Sequence, residues 1–114
     1  MRPATPVRIR QLLEEEQPDG IYVTVVGRVV NFDITEYIAY LDDGTGTIRV
    51  EVTEKPQSEY LKVIGRTIKD EQGVAILPRV VVPVSELYAK KYWEVMEGVK
   101  KALDERFVLG GGAE

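Results

Sequence analysis

Arg28, Tyr40 and Arg49 share the outward parity of three successive strand-like segments, with Val26, Val30 and Ile38 beside them. A phenol ring among guanidinium groups suits non-covalent work. The ring can stack a nucleobase and the flat cations can stack or pair with phosphates, each stacked base contributing about 1 to 3 kcal/mol. The bland alternative is a charged, half-apolar surface in which Arg49 pairs with Glu51 or Asp33. Phe32 and Tyr37 flank the connection between the first two segments; they extend such a surface or cover the rim of the fold, and for Tyr37, on the core parity, the rim is the expectation. Lys62 and Arg66, with Lys69 and Arg79, make a basic track on a later pair of segments, against the default of a solvated face.

Covalent chemistry is poorly served. The 114 residues include no Cys and no His, which removes thiolate nucleophiles, imidazole acid–base groups and the usual zinc ligands. Asp42 and Asp43 are adjacent at a strand end, so their side chains point apart. With Gly44 and Gly46 following, turn-making through Asx bonds explains them better than metal ligation does. The Gly44-Thr45-Gly46 run lacks the Lys and the following helix of a phosphate-binding loop. No catalytic set converges, so the chain is expected to be no enzyme and to use no metal or cofactor.

The elements that position these groups follow from periodicity. Residues 37–52 form a hairpin bent around Asp42 to Gly46, with Ala39, Leu41, Ile48, Val50 and Val52 inward. Ahead of it, residues 7–16 carry Ile9, Leu12 and Leu13 at helical spacing, stopped by Pro18 and Gly20, a short helix suited to plug one open end of a barrel. Residues 21–32 form the longest strand, with Gly27 where it must bend or bulge to pair with both neighbours. A second hairpin spans 60–69 and 74–82; its facing is not assignable from the pattern, and Pro83 is expected to end it.

Ser85 is a good N-cap for a helix reaching about Arg106. Tyr88, Tyr92, Val95, Val99 and Leu103 form a stripe along it, widened by Trp93 and Met96 and followed by Phe107. That is more apolar surface than one small barrel end can cover, which argues for a partner over simple packing on the barrel.

A mainly β, five-stranded OB-fold barrel with a short N-terminal helix and a long C-terminal amphipathic helix accounts for this order. Its parts are an arm over 1–6, the barrel over 7–83, an assembly helix over 84–109 and a tail over 110–114. The net charge of −4 is the wrong sign for gripping nucleic acid by bulk charge, so any such role rests on a local patch or on partners. No apolar run approaches the roughly 20 residues of a membrane helix, and a soluble, cytoplasmic protein without membrane contact is expected.

Three motifs carry a family resemblance. Val25-Val26-Gly27-Arg28-Val29, then Tyr40 through Gly46 with a β-branched strand after it, then Val63-Ile64-Gly65-Arg66, resemble the OB domains of replication protein A, closest to the small subunits in archaea. The resemblance covers roughly residues 7–106. It implies a non-catalytic, nucleoid-associated subunit of a heterotrimer that coats single-stranded DNA in replication, repair and recombination. It implies also that the C-terminal helix joins larger subunits in a three-helix bundle while the barrel adds weak DNA contact. A stand-alone RNA- or tRNA-binding module and a structural adaptor without nucleic-acid contact are the rivals.

Overall fold

The computed structural model describes residues 4–14 and 20–98, and is mainly β. Strand β1 (Thr5–Pro6) leads into helix α1 (Ile9–Glu14), then β2 (Tyr22–Asp33), β3 (Ile38–Asp42), β4 (Thr47–Glu51), β5 (Tyr60–Asp70) and β6 (Gly73–Val84). A second helix, α2, covers residues 86–98. The six strands form one sheet in the order β1-β2-β3-β4-β6-β5, and β2 pairs again with β5, so the pairings run round a closed cycle.

That closure depends on β2 serving two neighbours. Tyr22 to Arg28 pair antiparallel with β5, and Arg28 to Asp33 pair with β3. Gly27 sits at the switch, where a Cβ would meet the Leu41 side chain at 3.1 Å and the Asp42 carbonyl oxygen at 3.2 Å. Close backbone approach is why the strand carries glycine there. The bulge itself falls between Val29 and Asn31, and it reverses the parity of everything after it.

The two hairpin arms alternate as the sequence dictates. Ala39, Leu41, Ile48 and Val50 join Val23, Val25, Leu61, Val63 and Ile76 in the core, and Ile9 and Leu12 of α1 cover one end of it. Leu13, read as part of the same apolar stripe, is largely exposed. The turn between the arms is built from Asx bonds: Asp42 Oδ1 accepts from the Gly44 N–H at 2.6 Å, and Asp43 Oδ1 accepts from the Thr45 N–H at 2.9 Å.

Asp43 does more than turn the chain. Its buried carboxylate accepts the Ile9 N–H at 2.8 Å and the Arg8 Nε–H at 3.2 Å, so a residue 34 positions away caps α1. Gln11 completes the cap by accepting the Arg8 N–H through its side-chain oxygen at 2.9 Å. Helix and hairpin are therefore one unit.

Several sequence-based boundaries shift. Thr5 and Pro6, assigned to the arm, pair parallel with Val23 and Thr24 of β2. Pro83 does not end β6; it lies opposite Leu61, and beyond Ile76 the strand is paired, among the described residues, with β5 alone, an edge position of the kind that tolerates proline. Tyr37, given core parity and a place on the rim, sits in the turn before β3 with φ 55°, 43 % exposed, its ring edge-on to Phe32. The facing of β5, unassigned from the pattern, puts Leu61, Val63, Gly65 and Thr67 inside. Ser85 caps α2 as expected, its Oγ accepting from the Tyr88 N–H at 3.0 Å. Val99, Leu103 and Phe107, together with the tail, lie outside the described residues.

Candidate nucleic-acid interface

Register fixes the outer face of β2, β3 and β4 as three cross-strand rows. Arg28 lies opposite Asp42, which lies opposite Thr47; Asn31, Tyr40 and Arg49 form the next row; Asp33, Ile38 and Glu51 form the third. Tyr40 and Arg49 are thus direct neighbours, as the alternation requires, and Arg28 belongs to the same face. Asn31 is the residue that the sequence reading missed, and Asp33 entered it only as a possible partner of Arg49. Strict alternation puts Val30 and Phe32 on either side of them, and only the bulge after Val29 brings Asn31 and Asp33 out.

The same bulge decides Phe32. It points inward and packs half-buried against the core, with its ring edge-on to Tyr37 at 5.6 Å between centroids and 83° between planes. It extends the core toward the rim and is not part of the outer face.

Electrostatics divide this face. Arg49, only 12 % exposed, donates from Nη2 to Asp70 Oδ1 at 2.7 Å, tying β4 to the tip of the β5–β6 hairpin. Its ion-pair partner is therefore Asp70, neither Glu51 nor Asp33. The guanidinium hydrogen bond, helped by the Gln72 N–H, holds the Asp70 carboxyl below the usual 3.8 of an aspartate. Around Tyr40 opens a concavity of about 680 Å³ walled by Asp33, Glu36, Glu51, Asp70 and Glu71, with Arg49 as the one cation lining it among the described residues. A phosphate chain laid there meets five carboxylates and a guanidinium already engaged.

Lys62 and Arg66 lie on a different surface. On the outer face of β2, β5 and β6 the rows are Tyr22, Arg66 and Leu77, then Thr24, Ile64 and Val80, then Val26, Lys62 and Val82. Helix α2 covers the last of these. Lys62 donates from Nζ to the Tyr88 hydroxyl at 3.2 Å and sits 5.8 and 5.9 Å from the rings of Tyr88 and Tyr92, which stack on each other. It is a packing residue of the helix. Arg66 stays exposed. Arg79 lies over the Tyr22 ring at 5.9 Å and donates from Nη1 to its hydroxyl at 3.3 Å.

The stripe on α2 splits between two neighbours. Trp93 donates its indole N–H to the Val26 carbonyl at 2.9 Å, Arg8 lies over its ring at 5.4 Å, and Ala89 is fully buried. Tyr92 is half-buried, and its hydroxyl has no hydrogen-bond partner among the described residues; desolvation raises its pKa. Val95 and Met96 line, with Tyr92, Arg8 and Arg10, a groove of about 710 Å³ between α2 and the N-terminal segment. Leu87 and Val95 are 66 % and 63 % exposed.

No protein-family model and no curated protein matches this chain in sequence. Its fold is similar to that of several solved structures. The telomere capping protein Ten1 from Saccharomyces pombe superposes with a TM-score of 0.63 at 20% identity, over 87% of this chain and 99% of that one. A chain in a structure of a replication protein A heterotrimer bound to single-stranded DNA gives 0.64 at 26% identity, over 90% and 98%. The hypothetical protein ygiW from E. coli gives 0.55 at 21%, over 73% and 91%. The likeness to small subunits of replication protein A carried by the sequence motifs is thus also a likeness of fold. Fold alone does not set the ligand.

Proposed function

We propose that this chain is a non-catalytic OB-fold barrel subunit of a replication-protein-A-like assembly on single-stranded DNA, working in the cytoplasm at the nucleoid. The observation that carries the reading is the near end-to-end correspondence with a chain of the heterotrimer, 90% of this chain against 98% of that one. A closed cycle of β2, β3, β4, β6 and β5 is the strand pairing that an OB barrel requires. In this reading α2 keeps Ala89 and Trp93 for its own sheet and offers Leu87 and Val95 to the helices of larger subunits.

One observation favours a second reading. The acid-lined concavity at Tyr40 suits a structural adaptor that meets partners and leaves DNA to them. Fluorescence anisotropy with oligo(dT), oligo(rU) and duplex competitors separates the readings, with light scattering giving the mass of the species that binds. Weak, salt-sensitive binding that prefers single-stranded DNA is the expected result. Preference for RNA moves the chain to a free-standing RNA module, and no binding to any of the three leaves the adaptor.

A further inference from the structure

The surface opposite the Tyr40 face has the charge and shape that the Tyr40 face lacks. Arg79 is the extra residue of the β6 bulge, set between Pro78, opposite Gly65, and Val80, opposite Ile64. A bulge re-aims the side chain that it adds. Here it sends Arg79 over the Tyr22 ring, with Arg66 directly across from Tyr22 in register. Exposed Leu77 and Val80 flank this pair of cations.

Beside Arg79 a slot of about 280 Å³ opens where β4 and β6 part, since those strands pair only at Arg49 with Ala75 and Val50 with Ile76. Val52, Leu61, Pro78, Val81 and Pro83 make its apolar walls, and Lys55 with Arg79 stands among its polar lining, Glu54 being the one acid there among the described residues. An apolar-walled slot beside two cations suits a nucleobase with its flanking phosphates. The Tyr22 ring, held at its hydroxyl by the Arg79 guanidinium, offers a second aromatic surface.

We infer that single-stranded nucleic acid contacts this chain chiefly along β5 and β6 and crosses the free edge of β6, Arg66 and Arg79 on the outer face and Lys55 at the slot pairing phosphates, while the slot under that edge and the Tyr22 ring receive bases. This rests on the single-strand-binding reading above and relocates its site. An acidic protein segment fits the cations but has no use for a base-shaped slot.

Amide chemical-shift mapping of the unaltered chain with oligo(dT), repeated with a polyglutamate peptide, tests the inference without any variant. Shifts gathered at Tyr22, Lys55, Arg66, Arg79 and Val81 are expected with oligo(dT) alone. In parallel, Arg66→Glu with Arg79→Glu should weaken oligo(dT) binding about tenfold and flatten the salt slope by about 1.4, two phosphate contacts at about 0.7 each. Tyr40→Ala should leave affinity within about threefold, well short of the loss expected for a stacked base. Shifts confined to Asn31, Tyr40 and Arg49 overturn the inference and leave the function standing. Shifts at the basic surface with polyglutamate and none with oligo(dT) overturn it in favour of a protein partner. Absence of any oligo(dT) binding removes both.

Discussion

The indole N–H of Trp93 donates to the backbone carbonyl of Val26 at 2.9 Å, which fastens α2 to β2 one residue before the glycine where β2 changes partners. A helix whose apolar surplus the sequence assigns to a partner is therefore held to its own sheet by its largest side chain.

Trp93→Phe keeps most of the ring's packing and removes that bond. Stability should fall by about 1 kcal/mol, the net worth of a buried hydrogen bond, lowering Tm by roughly 4 to 8 °C for a domain of this size. Thermal melts followed by circular dichroism check it; an unchanged Tm would show that the bond adds nothing. Trp93 is the only tryptophan, so fluorescence of the unaltered chain reports undocking of α2 directly.

Asp43→Ala removes the acceptor for the Ile9, Arg8 and Thr45 donors together. The loss should be about 2 to 4 kcal/mol, combining a helix cap with a buried N–H left unpaired. Asp42→Ala, which gives up a more exposed turn bond, should cost about 1 kcal/mol. Urea midpoints for the two variants decide it, and equal losses would refute the hub role of Asp43.

At Gly65 an added Cβ would stand 2.3 Å from the Leu77 carbonyl oxygen and 2.7 Å from the Pro78 Cα, both backbone atoms that cannot swing aside. Gly65→Ala is expected to cost about 3 kcal/mol or more. Gly98→Ala, in the helix with nothing within 4 Å of the new methyl, should instead stabilise by up to about 1 kcal/mol. Measured side by side, the two have opposite signs if the β6 bulge is packed as described.

Because Arg49 depresses the Asp70 pKa in the folded chain, the pair's contribution is fully present above the ordinary aspartate value of 3.8 and fades as pH falls through the lower folded value. Carboxyl-carbon NMR titration should show Asp70 ionising below 3.8, and Arg49→Ala should return it upward. No movement in that variant would mean that the ion pair is absent in solution.

The sequence by itself determined the hairpin about Asp42 to Gly46, the inward set Ala39, Leu41, Ile48 and Val50, the Ser85 cap and the absence of thiol and imidazole chemistry. Each is local: alternation, turn chemistry and capping act within a few residues, and composition needs no structure. Tertiary structure alone decided which groups share a surface. The bulge after Val29 turned Phe32 into the core and brought Asn31 and Asp33 out. A bulge at Arg79 aimed that side chain at Tyr22, 57 positions away. Arg49 was claimed by Asp70, and Lys62 was covered by α2. One inserted residue reverses the facing of every residue after it, and pairings between distant strands leave no periodic trace, so a charge pattern becomes a surface only when the sheet closes.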